Sequence, residues 1–306
     1  MDSRNRERLI RALNARRRAA RAIEAAKSQA ATEALRISVV ASDRTRALLE
    51  AASSGSIKTP EVMRNFDQLL AAARDQTEGA LHGGVVDALD IAVAAAVDNA
   101  EIMGITLRRL AVIENQFNAS FRPDLISASY NRWIQRIPGE TLKAERGLQE
   151  ALTKAILKGE SAQDAARRLL ASSDFTKAFQ TAGQFLRRDV AFSNLPVIEQ
   201  KIAPLHRALR VIRTEIGRVD NVTGISFAEA AGFSKFINIG VGDDRQSDEC
   251  AAATAADPMT LAEWSANLGI APRHPNCRCG MAAVPDDATQ NLPEKTLVSD
   301  GVLAEA

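Results

Sequence analysis

The chain has 306 residues, 46% of them hydrophobic and only 4% aromatic, with a formal net charge of +1. That length allows two domains, and an alanine-rich, aromatic-poor core favours helices, since Ala is the best helix former and a poor strand former. Near-neutral charge argues against a molecule-wide polyanion binder, though not against a basic segment.

The first residues carry charge, but no apolar core and small-residue cleavage site follow, so no signal peptide is expected. No window reaches the roughly 18–20 uncharged apolar residues of a membrane span; the most apolar, 85–105, contains Asp87, Asp90, Asp98 and Glu101. Residues 3–52 read as one long helix whose start is crowded with arginine: Arg4, Arg6, Arg8, Arg11, Arg16, Arg17, Arg18 and Arg21. Of these, Arg4, Arg8, Arg11, Arg16, Arg17 and Arg18 are candidate contacts to nucleic acid or to an acidic partner. The alternative is the solvated face of a helix. Interleaved aromatics for base stacking are absent, and sequence-specific recognition is not expected.

Ser53-Ser54-Gly55-Ser56 breaks the helix, and Thr59-Pro60-Glu61 restarts it with a cap, a first-turn proline and an acidic first turn. Gly83-Gly84 predicts a second break, followed by a helix from 85 to about 117. Pro123 and Pro138-Gly139 bracket a shorter helix with Tyr130 and Trp133. Further helices are predicted over 140–158, 161–170, 175–186, 190–201 and 205–218. Ser226 and Glu229 form the capping box of a short helix closed by Gly232.

The period then changes. Residues 235–241 alternate as a strand does, 278–284 offer a second strand, and Thr260 with Glu263 caps a small helix between them. The expected fold is mainly α: an extended helical body with a small C-terminal α+β knob. The expected segments are 1–140, a helical region with a basic start; 141–232, further helices; 233–285, the knob; and 286–306, a loose tail.

All three cysteines fall inside the knob. Cys250, His274, Cys277 and Cys279 are soft ligands suited to tetrahedral Zn2+. A unit so small and so poor in large apolar residues needs a staple. A structural zinc ion would supply one. So would a disulfide from Cys250 to one of the C-terminal pair, and three plain buried thiols with His274 as a turn residue is the bland alternative.

Here a resemblance becomes specific. Arg213-Thr214-Glu215 on a helix, Asp244, Arg245 and Cys250 in a loop, and a closing His274-Pro275-Asn276-Cys277-Arg278-Cys279 resemble the phage Mu F-like minor head, or head morphogenesis, family over about 142–285. The resemblance implies a structural role for Arg213, Glu215, Asp244, Arg245, Pro275 and Arg278, with Arg213 or Arg245 pairing Asp244 to fix knob against body. It also implies a low-copy virion component, made in the host cytoplasm and assembled inside the head. Portal or major capsid protein would be its neighbours, packaged or ejected DNA a non-specific partner. Such proteins are not generally enzymes. The family often has a cysteine where this chain has Ser247 or Asp248, so a four-sulfur site is impossible here. A competing function is a metal-dependent hydrolase or toxin-like enzyme using Cys250, His274 and Asp244, with Asp248 or Glu249 as base.

Overall fold

The computed structural model describes residues 3–129, 131, 142–172, 204–240, 246–275 and 277–286, without the side chains of 3–6, 143, 144 and 204–209. Tyr130 and Trp133 of the helix bracketed by Pro123 and Pro138-Gly139, the helices predicted over 175–186 and 190–201, the loop holding Asp244 and Arg245, and the tail beyond 286 lie outside the described residues. The fold class is as expected: helices dominate, with one small antiparallel sheet near the C-terminus.

Helix α1 spans Ser3–Ser53 and ends at the expected break, where Gly55 takes φ 76°. Helix α2 spans Thr59–Ile102 without interruption, so the break predicted at Gly83-Gly84 does not form. Two glycines cost a helix about 1 kcal/mol each relative to Ala. Burial of Leu81, Val85, Ala88, Leu89 and Ala92 along one face outweighs that. This helix contains one stretch long and apolar enough to cross a membrane by length and composition, 44% of it buried within the fold.

The true break comes later, at Gly104 with φ 96°, where residue spacing alone predicts continuous helix. Thr106 then caps α3 (Leu107–Gln116) by accepting from the Arg109 amide. A π-helical turn, Phe117–Phe121, leads directly into α4 (Arg122–Ser129), with Pro123 in its first turn. Helix α5 (Lys143–Leu157) stops at Gly159, φ 88°, and α6 (Ala162–Leu170) is capped by Ser161 as predicted. Helix α7 (Pro204–Ala231) is continuous, so Ser226 and Glu229 open no separate helix. Ile225, Phe227, Ala228 and Ala231 are buried, and that packing carries the helix through to Gly232.

The knob follows as β1 (Lys235–Ile239), α8 (Asp248–Ala255), β2 (Met259–Thr260), α9 (Leu261–Asn267) and β3 (Gly280–Val284). Strand order is β2-β1-β3, all antiparallel, with Asn238 opposite Met281. Strand β2, only two residues long, is too short to leave an alternating pattern in the sequence. The capping box of Thr260 and Glu263 forms as predicted.

The chain divides into two compact units that cut across the sequence segments. One comprises 1–27, 84–129 and 213–306; the other, 28–83 and 130–212. In the first, Leu9 and Leu13 of α1 pack on Ile237, Ile239, Ala282 and Val284, one face of the sheet. The other face, through Phe236, Met281 and Ala283, packs on Ala253, Trp264 and the three cysteines. In the second, Leu49, Val62, Phe66, Leu152, Ala165 and Leu169 form an aliphatic core.

Candidate metal centre

Helix α8 begins at Ser247, whose side chain accepts a hydrogen bond from the Cys250 amide at 3.3 Å. Cys250 thereby lies at the end of the first turn and is buried. The opposing ligands come from the turn before β3, closed by a hydrogen bond from the Cys277 amide to the His274 carbonyl at 3.1 Å. Gly240 lies where β1 leaves the sheet toward this region. A Cβ there would collide with Thr254 Oγ1 and Gln246 Nε2, so the close approach requires glycine.

Cys250, His274 and Cys277 converge: their ligand atoms all lie within 4.8 Å of one another. Cys250 Sγ is 3.7 Å from Cys277 Sγ and 3.1 Å from His274 Nε2. Two thiolates on one tetrahedral zinc, each at about 2.3 Å, stand about 3.8 Å apart, so the sulfur spacing fits the ion. His274 Nδ1 lies 3.0 Å from the Pro275 carbonyl oxygen, which can only accept, so Nδ1 carries the proton. The Nε2 lone pair then faces Cys250 and the Ser247 hydroxyl, 3.0 Å away. A second ring nitrogen tied to a carbonyl is the usual orientation of a metal-bound imidazole.

Cys279, the fourth expected ligand, is buried but is not a member of the three-residue group. Its thiol instead hydrogen-bonds the Cys277 sulfur. That bond, opposed by burial and helped by backbone donors, holds Cys277 down at about 4, within the range of a ready metal ligand. The same bond, with burial, pushes Cys279 up. The three cysteines are free thiols, so no disulfide staples the knob in this state. The cluster can hold a metal ion. Asp248 and Glu249, the bases required by a hydrolytic site, are both exposed on the first turn of α8.

Polar side chains brace the strand that follows. Arg16 was expected on a contact surface, but it is buried at 4% exposure. Its guanidinium grips Asp220 of α7 through two bonds of 2.6 and 2.8 Å, and its Nε donates to the Met281 carbonyl at 3.1 Å. Beside it, Asn221 Oδ1 accepts from the Met281 amide at 2.6 Å, and Nδ2 donates to the Cys279 carbonyl at 3.2 Å. Strand β3 is an edge strand, and these two side chains close its free edge. Nothing in the sequence singled out Asp220 or Asn221; their signal was only two polar residues on the buried face of a helix.

Arg213 and Glu215 are both buried on α7, and Glu215 pairs with Arg218 at 2.8 Å. The proposed pairing of Arg213 with Asp244 or Arg245 with Asp244 lies outside the described residues. Arg278 and Pro275 are half-buried or exposed beside the cluster. Of the candidate contact arginines, Arg11 and Arg18 are exposed, Arg8 and Arg17 half-buried, and the Arg4 side chain is not described. His82 is exposed and distant from any described cysteine in sequence.

The fold and cluster together define a helical protein ending in a small knob with a metal-competent Cys/His centre. Residues 146–282, the C-terminal half of the chain, match the family model described as Phage Mu protein F like protein. Over these residues the chain is similar to Phage Mu F-like proteins, and the match points to a phage head morphogenesis protein. No curated protein and no solved structure matches the chain significantly.

Proposed function

We propose that the protein is a structural, non-enzymatic component of a phage head whose knob is stapled by Zn2+. Cys250, His274 and Cys277 supply three ligands, and Cys279, already against the Cys277 sulfur, completes the tetrahedron after a side-chain rotation. The convergence of three soft ligands around the family's closing motif carries this reading. The ion is structural because a cysteine-rich set closes the coordination sphere and leaves no open position for water. The stapled knob presents a rigid docking face to portal or inner capsid protein, and packaged or ejected DNA is a further neighbour. Arg213, Glu215, Asp244, Arg245 and Arg278 fix the knob's loop on α7.

Metal analysis of the purified chain tests the centre. One equivalent of zinc is expected, lost in Cys277→Ser together with the fold of residues 233–285. A wild-type chain that folds with no bound zinc would overturn the metal reading. Cross-linking in assembled heads tests the role: adducts with portal or major capsid protein are expected, and their absence refutes the docking assignment.

A further inference from the structure

The two halves of α1 carry their exposed charges differently. In the second half the charges are balanced in sign, three acidic and three basic: Arg36 is bonded to Glu33 at 2.6 and 2.8 Å, and Asp43, Arg44, Arg46 and Glu50 follow. This is an ordinary solvated helix face, laced by pairs worth a few tenths of a kcal/mol each. The first half does not follow that rule.

Helical spacing puts Glu7, Arg11, Asn14, Arg18, Arg21, Ala22 and Ala25 on one stripe, all exposed or half-exposed. Glu7 is the stripe's single carboxylate, and it is bonded to Arg11 at 2.5 Å. Two other nearby bases are already paired, Arg16 on Asp220 and Lys27 on Glu24. Arg17 borders the stripe half-buried, and burial together with the neighbouring Arg21 charge lowers its pKa. A guanidinium repelled by its neighbour is stabilised by an added anion.

We infer that this stripe, centred on Arg11, Arg18 and Arg21, is a docking face for the sugar-phosphate backbone of DNA. The stripe contains no large apolar side chain, whereas protein interfaces are anchored by buried aromatic and aliphatic residues. An electrostatic partner that needs no such anchor fits it better. Arg11 to Arg21 spans about 15 Å of helix, a length that passes four or five phosphates of one strand at about 3.4 Å of rise each. The inference rests on the head-protein reading only for the presence of DNA beside the protein.

The test is fluorescence-anisotropy binding of the full-length chain to a labelled random-sequence duplex, from about 50 to 200 mM salt. Binding should be weak and indifferent to sequence, and its logarithm should fall linearly with the logarithm of salt. In Arg18→Gln/Arg21→Gln the slope should shrink by about 1.8, at roughly 0.9 for each phosphate left without its arginine. Arg18→Lys/Arg21→Lys should keep the wild-type slope, and Arg36→Gln, on the balanced half, should leave it unchanged. All these side chains are exposed, so unchanged circular-dichroism melting is expected of each variant. No binding at the lowest salt, or a Gln variant with the wild-type slope, overturns the inference. So does loss of incorporation into heads by the Gln variant when DNA binding is intact, because the stripe then serves a protein partner. Zinc content and capsid cross-linking are read separately, so a failure here leaves the head-protein reading standing, and the converse also holds.

Discussion

Compare how the two compact units deal with a polar group taken out of water. In the unit holding the sheet, Arg16 lies buried and finds both oxygens of Asp220 and a strand carbonyl, while Asn221 takes the adjacent strand amide. In the other unit the buried Glu145 accepts a hydrogen bond from Ser42 Oγ at 2.5 Å. Its Oε2 has no hydrogen-bond partner among the described residues, and neither has the buried Thr45 Oγ1. Polar atoms unsatisfied in this sense occur in the sheet unit too, at Asn99 Oδ1, Thr223 Oγ1 and Arg273 Nη2, so the contrast lies in what the Arg16 and Glu145 side chains each serve. Helices close their own backbone bonds and need little beyond apolar packing, which Phe66, Leu152 and Leu169 supply. A three-stranded sheet with two strands of five residues and one of two leaves open edges and buries little, so side chains must finish it, together with the metal proposed above.

The largest effect expected from this contrast comes from the metal. Chelation, or Cys277→Ser, should unfold the knob, because ion binding supplies roughly 10 kcal/mol or more of folding free energy in comparable modules. The aliphatic unit should keep its protection in hydrogen exchange. Equal loss of protection in both units would erase the distinction. Next comes the Arg16–Asp220 pair. Arg16→Met strands a buried carboxylate and uncovers the β3 edge, at a cost of about 3–5 kcal/mol. Arg16→Met/Asp220→Leu should regain most of that, since a well-packed apolar replacement removes the stranded charge. Denaturant melts of the two variants check it, and a double variant as unstable as the single one would show that the edge bonds dominate.

Much of this was legible from residue types and spacing. The long α1, the caps at Ser161 and Thr260 and the strands β1 and β3 follow local rules, whereas Cys250, His274 and Cys277 stood out by residue type and are brought together by the fold across 24 residues. What escaped depends on partners distant in sequence. Gly83-Gly84 and Ser226 carry local stop or start signals that burial of the surrounding helix faces overrides. Arg16 looks like its surface neighbours until α7 brings Asp220 to it from 204 residues away. Glycine punctuation erred in both directions, since Gly104 ended the helix that Gly83-Gly84 did not.

Glu145 gives the smallest effect and tests the other side of the comparison. Burial raises its pKa above the ordinary 4.5, against the opposing pull of the Ser42 hydrogen bond. The folded chain therefore holds this proton more tightly than the unfolded chain. The resulting stabilisation is fully present below the ordinary value and is lost as pH rises through the folded one. At neutral pH the group is a burden on the unit. Glu145→Gln keeps an acceptor for Ser42 and cannot ionise, so it should stabilise the protein at pH 7 by on the order of 1 kcal/mol. The variant should also flatten the decline in stability between mildly acidic and neutral pH. Urea melts across that range read both quantities. An unchanged profile would mean that Glu145 stays charged at no cost, and that the aliphatic unit accommodates a lone carboxylate as well as the sheet unit accommodates its paired one.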